Sequence, residues 1–398
     1  MAINPQIKMD QQNDGEKFFD ENELIEDWLE YTRGDAKEEL VRLMINESGP
    51  TMDWLIADYG FEFGNIRAFF HPRQWPVWAS YQGNKDDMYN RAMEEAKAMD
   101  ANNDFMLELT ANRLLLDSTG QIVGVEATYF DGTTYRIYGS SVVLATGGFV
   151  GNPEMQMEFL GGAFLSYALD QNDGAGILMA QEVGAGFYNI DMPPMQHIAS
   201  NAVLLGDEVD LTANDKAVLA SMVLNPATMV VNPMGERFLN ESGLIAFDSW
   251  QGGPFYYTIY SQQDLERLSS QGFSYVVNPM SIHQGGTVTV GEPIANIQHI
   301  MNVAVANEAA FAGESLEELA ALLGMERLVE EVELYNSYGL GLADDLFGKG
   351  EQYLVPVGSQ GPFYAVKGAA YIYGTCGGLD IDVNMNVLDT YGNPIPGL

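Results

Sequence analysis

The chain has 398 residues, 46% of them hydrophobic, which is long enough for about two or three domains with sizeable cores. Its 18 Lys and Arg stand against 56 Asp and Glu, and the formal net charge of −38 argues against a nucleic-acid partner. The single cysteine, Cys376, excludes an internal disulfide and a CxxC metal site. The start has no apolar signal segment and the chain has no membrane-spanning run, so we expect a soluble protein, in the cytoplasm by preference.

The predicted elements begin with helices. Apolar residues recur at helical spacing from Glu21 to Tyr59, with Gly49-Pro50 as a break between helices. A further helix is predicted from Asp86 to Met99. The first part of the chain is therefore predicted to be helical.

From Phe105 the apolar period changes to two, which indicates β-strands. Asp131-Gly132 predicts a hairpin turn that leads into a strand from Tyr135 to Tyr138. The apolar run Val142–Leu144 predicts a buried core strand. Together these segments predict a small β-meander that leads into one core strand.

The remaining segments mix loops, helices and short strands. A helix is predicted from Ile177 to Val183, closed by Gly184, and a helical pair from Ser315 to Tyr338. The stretch from about residue 191 to 361 is otherwise irregular, and short strands follow Leu379. The sequence therefore predicts an α/β fold class with α+β elements.

The segment Ala145-Thr146-Gly147-Gly148 directly follows the predicted core strand. Glycines after a strand let backbone N–H groups approach a phosphate or a flat ring. Such a segment is also a common turn after a strand in α/β proteins. No G-x-G-x-x-G motif occurs in the chain. The residues by themselves predict an α/β protein with a glycine-lined cleft.

Seven sequence blocks, in order, resemble the FAD-dependent oxidoreductase 2 family, which contains the fumarate reductase flavoproteins and the 3-ketosteroid dehydrogenases. The blocks are GQIVGV from Gly120, VVLATGGFVGNPEM from Val142, NDGAGILMAQEVGAG from Asn172, VNPMGERFLNES from Val231, ESLEELAALLGM from Glu314, GPFYAVKGAAYIYGTCGGLDID from Gly361 and PIPGL from Pro394. They span nearly the whole chain.

The resemblance implies an FAD-binding Rossmann-like domain interrupted by a capping domain that holds the substrate. Residues 1–190 and 369–398 would form the FAD-binding part, and residues 191–368 the capping domain. The family's first βαβ unit and its last glycine-rich segment are not found in this sequence. The FAD-binding domain is therefore expected to be incomplete, the chain a fragment truncated at both ends, and its FAD affinity poor.

The resemblance also implies which residues contact FAD. Asn112 would offer its backbone to the adenine, the segment from Ala145 to Gly148 would line the cradle, and the turn from Asn172 to Gly176 would lie near the cofactor, with Ala175 in place of the usual acid. The expected contacts are Asn112, Ala145, Thr146, Gly147, Gly148, Gly174, Ala175, Gly176, Thr375 and Gly377. No metal is expected.

The catalytic positions of fumarate reductases are not kept. The position of the proton-donating Arg is occupied by Ile245, and the two adjacent histidines of the family are replaced by Tyr373 and Gly374. The form of the block from Gly374 to Gly378 is instead shared with ketosteroid dehydrogenases, which rely on tyrosines.

The candidate acid/base residues are therefore Tyr371 and Tyr373, with His197 as a third candidate. A tyrosine suits proton transfer to an enolate where a neighbour lowers its pKa. Each of the three residues has a structural alternative, as a core aromatic or a hydrogen-bonded histidine. Arg237 and Glu241 are predicted to be a structural pair rather than catalytic.

The resemblance thus predicts an FAD-dependent oxidoreductase that transfers a hydride between flavin N5 and a carbon–carbon bond of an apolar enone or ketosteroid-like substrate. Two alternatives stay open: a fumarate reductase-like enzyme for a small unsaturated acid, and a non-catalytic flavoprotein fragment. The expected partners are a small unsaturated substrate and an unidentified electron donor or acceptor, with no nucleic acid and no membrane span. The loop His71-Pro72-Arg73 falls where the family often has an Arg near the substrate entrance.

Overall fold

The computed structural model of the protein describes residues 2–68, 75–167, 169–199, 205, 208–243, 245–276 and 286–398, with only the backbone described for residues 85, 195–199, 246 and 247. The chain divides into two compact units. Unit 1 comprises Met1–Leu144, Met179–Phe187 and Leu379–Leu398, and unit 2 comprises Ala145–Leu178 and Tyr188–Gly378. These bounds describe compactness, and the domain boundaries at residues 190 and 368 stay a prediction.

Unit 1 begins with helices and a short β-hairpin: α1 (Gln6–Gln12), α2 (Glu21–Tyr31), α3 (Glu38–Tyr59), β1 (Arg67–Ala68), β2 (Pro76–Trp78) and α4 (Lys85–Met99). Asp20 caps α2 by accepting a hydrogen bond from the Asn22 N–H. Gly60 ends α3 in the left-handed conformation. Helix α4 confirms the helix predicted from Asp86 to Met99.

The predicted helix break at Gly49-Pro50 is wrong, because α3 continues through Pro50. Val41, Ile45 and Met52 bury one face of this helix, and this packing outweighs the local effect of a proline that lacks an N–H. Gly49 is needed at its position since a Cβ there would lie 2.2 Å from the Ile3 carbonyl oxygen.

The β-meander of unit 1 is confirmed. Strands β3 (Leu109–Leu116), β4 (Ile122–Tyr129) and β5 (Thr134–Tyr138) form an antiparallel sheet in this order. Gly132 takes φ 89° in the predicted hairpin turn. The first strand begins at Leu109 rather than Phe105.

The predicted core strand Val142–Leu144 is not a strand. Val143 is 87% exposed, whereas Val142 and Leu144 pack against the apolar core of unit 1 around Leu114. The Val142 N–H donates to the Gly397 carbonyl oxygen at 2.8 Å, but no strand pairs with this segment among the described residues. A buried strand needs neighbours on both edges, so the segment is extended and covered on one side only.

The other helices and strands follow in chain order. They are α5 (Pro153–Leu160), β6 (Leu165–Ser166), α6 (Ala175–Glu182), β7 (Phe187–Tyr188), β8 (Met195–Ala199), α7 (Ala213–Val223), β9 (Met229–Val231), α8 (Ile245–Asp248), β10 (Phe255–Ser261), α9 (Gln262–Gln271), α10 (Ile297–Ala306), β11 (Ala310–Gly313), α11 (Leu316–Leu323), α12 (Leu328–Gly339), β12 (Phe363–Gly374) and β13 (Gly378–Leu379). Helix α6 and the pair α11 and α12 confirm the predicted helices, and Ser315 caps α11 by accepting from the Glu318 N–H.

Strand β12 organises the sheet of unit 2. Its first half pairs antiparallel with β10 and β11, and β10 pairs with β9. Its second half pairs parallel with β6 and antiparallel with β8. Apolar clusters around Tyr256 and around Ile259, which lie on opposite faces of β10, form the main cores of the unit. Within the described residues, none of the helices combines the length and apolar character needed to cross a membrane.

Candidate functional site

The glycine segment of unit 2, Ala145–Gly148, is a mostly exposed loop around which polar side chains gather. A Cβ on Gly147, which takes φ 75°, would lie 2.7 Å from Asn172 Oδ1. A Cβ on Gly148 would lie 2.1 Å from Thr375 Oγ1. Both glycines are therefore required for the close approach of Asn172 and Thr375 to this backbone.

The second glycine-rich turn lies against the first. The Gly174 N–H donates to the Gly148 carbonyl oxygen at 3.1 Å, and Gly174 takes φ 79°. A Cβ on Gly176 would lie 2.1 Å from Thr146 Oγ1. Asp173 Oδ1 accepts from the Ala175 N–H at 2.9 Å and so orients the start of α6.

The structure thus brings together the expected FAD contacts of the two turns and Thr375. Gly377 follows the end of β12 and packs closely against Asn189, since a Cβ there would lie 1.6 Å from the Asn189 carbonyl oxygen. Asn112 belongs to unit 1, where it lies on β3 and accepts from Thr128 Oγ1 at 2.8 Å. Its role towards the adenine stays a prediction.

The chemistry of these residues fits FAD. The exposed backbone of Ala145 to Gly147, the hydroxyls of Thr146 and Thr375, and the carboxamide of Asn172 offer neutral donors and acceptors to a flat ring or a phosphate. Ala175 stands where the family has an acid, so no carboxylate at that position repels a phosphate. We call these turns and Thr375 the FAD cradle, and their contact with the cofactor stays a prediction.

Tyr371 and Tyr373 lie in the second half of β12, just before Thr375. Tyr371 is 3% exposed, and burial raises the pKa of its phenol to about 12. Its hydroxyl is buried and has no hydrogen-bond partner in the part of the chain that the structure describes. Tyr373 is half-buried, and burial together with the neighbouring phenol of Tyr167 raises its pKa.

A third tyrosine, Tyr167, completes an aromatic cluster that the sequence did not predict. Its ring centroid lies 5.3 Å from that of Tyr373, with an interplanar angle of 80°. It lies 6.5 Å from the ring centroid of Tyr371, at 77°. The Tyr167 N–H donates to the Ile372 carbonyl oxygen at 2.9 Å, next to the parallel pairing of β6 with β12. We call these three residues the tyrosine cluster.

The pKa shifts of Tyr371 and Tyr373 argue against a role as a base. A base role requires a lowered pKa, but the pKa of Tyr371 and that of Tyr373 are raised. Both phenols are therefore protonated at neutral pH and carry a proton that they can donate, although the raised pKa makes each a weaker acid than a free tyrosine.

His197 lies in the backbone of β8, and its side chain lies outside the described atoms. The β8–β12 register passes from the pair Ile198–Tyr371 to the pair Gln196–Ile372, so His197 is the extra residue of a β-bulge. The loop His71-Pro72-Arg73 lies outside the described residues.

Comparison with known protein families decides the class of this chain. The family model described as "FAD binding domain" matches residues 9–398. The chain belongs to this flavoprotein family. It is an FAD-dependent oxidoreductase of the class that acts on carbon–carbon double bonds, which confirms the predicted cofactor and family.

Three known proteins illustrate the similarity of this flavoprotein to others. The vinyl phenol reductase of Lactiplantibacillus plantarum is 28% identical over 94% of this chain and 76% of its own length. A flavocytochrome c3 fumarate reductase in its open conformation has a TM-score of 0.56 at 23% identity, over 100% of this chain and 64% of its own. The 3-ketosteroid delta1-dehydrogenase of Sterolibacterium denitrificans has a TM-score of 0.58 at 17% identity, over 95% of this chain and 82% of its own.

These structures confirm the predicted fold, a Rossmann-like FAD-binding fold with a capping domain. The chain spans less than two thirds of the fumarate reductase.

Unit 2 of the flavoprotein contains a buried charge network. Arg237 donates from Nε and Nη2 to Glu241 at 2.9 and 2.7 Å, and also pairs with Asp345. Lys349 Nζ donates to the Thr228 carbonyl oxygen at 2.7 Å and lies 3.5 Å from Glu241. The side chains of Arg237 and Glu241 are 1% and 0% exposed, which confirms them as a structural pair.

The cations of unit 2 are few and engaged. The unit has six Arg and Lys residues, all described: Lys216, Arg237, Arg267, Arg327, Lys349 and Lys367. Four of them form ion pairs. Arg237 and Lys349 belong to the buried network, Arg267 pairs with Asp264 at 3.1 Å, and Arg327 pairs with Glu330 at 3.0 Å. Lys367 lies 4.2 Å from the ring centroid of Phe255, and Lys216 is buried and has a partner. Ile245, at the position of the fumarate reductase Arg, is 2% exposed in the core.

Proposed function

We propose that this flavoprotein reduces the carbon–carbon double bond of an uncharged, apolar enone or a related conjugated substrate. The observation that carries the proposal is the position of Tyr373 on β12, as a protonated phenol next to the FAD cradle. Tyr373 precedes Thr375 by two residues, and Thr375 Oγ1 accepts from the Phe149 N–H at 3.4 Å while it packs against Gly148. A proton donor and the cofactor contacts therefore belong to one strand end.

The charges support an uncharged substrate. A dicarboxylate needs cations to offset the cost of its desolvation. Every Arg and Lys of unit 2 is already engaged, and the fumarate reductase Arg position is Ile245. The relative from Lactiplantibacillus plantarum is named for vinyl phenol, which has no carboxylate, and this is consistent with the proposal.

When bound, FAD supplies the hydride through N5. Tyr373 holds the matching proton on its phenolic oxygen and gives it to the carbon, or to the enolate oxygen, that becomes electron-rich. One hydride and one proton together convert the double bond to a saturated bond. Because Tyr373 is only half-buried, solvent can return its proton, whereas the phenol of Tyr371 is buried.

Replacement of Tyr373 by phenylalanine tests the proposal. Tyr373→Phe keeps the ring and removes the proton, so kcat for an enone should fall by roughly 10²- to 10⁴-fold while the bound FAD content is unchanged. As the pH is raised, the wild-type rate should decline only above pH 10.0, the ordinary pKa of tyrosine, because the pKa of Tyr373 is raised.

Tyr391→Phe is the matched control, since Tyr391 is 88% exposed in unit 1. If Tyr373→Phe keeps its rate within about twofold, the proton comes from another group and the proposal is wrong. A wild-type protein that binds FAD but reduces no enone would instead favour a non-catalytic flavoprotein.

A further inference from the structure

Tyr167 is the most exposed ring of the tyrosine cluster. It is 36% exposed, whereas Tyr371 is 3% exposed. Its backbone is fixed to β12 by the hydrogen bond to Ile372, and its ring is held nearly at right angles to the rings of Tyr371 and Tyr373. The cluster therefore offers a pre-oriented aromatic surface next to the proposed proton donor.

Such a surface favours one chemical class of substrate. A flat aromatic ring gains both from apolar burial and from edge-to-face contact with another ring, by roughly two- to tenfold in affinity for each ring pair. An aliphatic group of the same polarity gains only the first of these contributions. Because the six Arg and Lys residues of unit 2 already have partners, none of them is available to pair with a carboxylate on the ring.

We infer that Tyr167 is a specificity-determining residue that selects substrates whose double bond is conjugated to an uncharged aromatic ring, with this ring packed against the Tyr167 side chain. The inference rests on the proposed function and names its substrate class. Tyr373 donates the proton, and Tyr167 holds the ring in place. Tyr167 acts through its aromatic surface, so phenylalanine can replace it and leucine cannot.

Two matched enones test the inference with FAD-loaded protein. Benzylideneacetone and ethylideneacetone share the same enone and differ only in a phenyl group in place of a methyl group. In the wild type, kcat/KM should be higher for benzylideneacetone. Tyr167→Leu should lower kcat/KM for benzylideneacetone by about tenfold, mainly through KM, and change that for ethylideneacetone by less than about twofold. Tyr167→Phe should restore the preference.

A binding measurement separates this inference from the proposed function. Calorimetric titration of the FAD-loaded protein with benzylideneacetone should give a roughly tenfold weaker Kd in Tyr167→Leu, and an unchanged Kd in the control Tyr391→Leu. If the wild type reduces neither enone, the proposed function fails, and the calorimetric result alone decides the inference. Equal losses for both enones, or an unchanged Kd in Tyr167→Leu, would overturn the role of Tyr167.

Discussion

At the residue scale, the buried charges of unit 2 depend on one another. Arg237 pairs with Glu241 and Asp345, and its guanidinium also lies 5.0 Å from the ring centroids of Tyr335 and Phe347. Such a cation stabilises the folded state by neutralising the buried carboxylates around it. Removal of one partner of a buried pair leaves the other charge uncompensated in an apolar environment.

Arg237→Met should therefore lower the free energy of unfolding by about 3–5 kcal/mol. The matched control is Arg327→Met, because the Arg327 side chain is 54% exposed and its partner Glu330 70% exposed. Loss of such a surface pair should cost less than about 1 kcal/mol. Urea unfolding of both variants gives the two values, and similar losses would contradict the buried network.

The buried Lys349 should make stability depend on pH. Burial lowers its pKa to about 8 from the ordinary 10.5, although the nearby Glu241 opposes the shift. The unfolded chain thus holds the proton more tightly than the folded protein does. The stability of the wild type relative to Lys349→Met should therefore rise from about pH 8 to above pH 10, by roughly 3 kcal/mol in total. Urea unfolding at several pH values measures this difference, and a difference that is flat with pH would show that Lys349 titrates normally.

At the element scale, the cradle depends on contact between the glycine segment and the end of β12. A Cβ on Gly148 would lie 2.1 Å from Thr375 Oγ1 and 3.4 Å from Thr375 Cβ. Gly148→Ala should therefore destabilise the protein by about 1–3 kcal/mol and weaken FAD binding. Removal of the Thr375 hydroxyl should relieve most of this strain.

A double-mutant cycle with Thr375→Ala measures the contact. The two substitutions should be coupled by about 0.5–3 kcal/mol, with the double variant more stable than Gly148→Ala alone. Gly378→Ala is the control, because a Cβ at Gly378 meets nothing within 4 Å. Additive losses from Gly148→Ala and Thr375→Ala would show that the two residues are not in contact.

The elements also show what the sequence could predict. Residues that follow a local rule were predicted well, as in the hairpin turn at Gly132 and the helix that begins after Ser315. The continuation of α3 through Pro50 and the exposure of Val143 depend on packing partners distant in sequence, which local patterns do not contain. The glycine turns could be recognised because each is a contiguous sequence motif, and their contact with FAD stays a prediction. Tyr167 was missed since only the pairing of β6 with β12 brings it to Tyr373.

At the scale of the whole molecule, the net charge of −38 favours an uncharged substrate, because a surface of this charge repels anions unless cations are gathered at the site. In unit 2 such cations are committed to internal contacts, and the candidate site is built from phenols, hydroxyls and exposed backbone. Membership of the family implies FAD and its hydride chemistry, and the tyrosine cluster lies on β6 and β12 of unit 2.

The central claim is that this flavoprotein reduces an uncharged conjugated double bond with a proton from Tyr373. The most direct measurement mixes the anaerobically reduced, FAD-loaded protein with benzylideneacetone and follows the flavin absorbance near ~450 nm. We predict that the absorbance returns, with one saturated ketone formed per flavin, and that Tyr373→Phe slows this return by roughly 10²-fold or more. A flavin that stays reduced in the presence of the enone, or that reoxidises equally fast in Tyr373→Phe, would contradict the account.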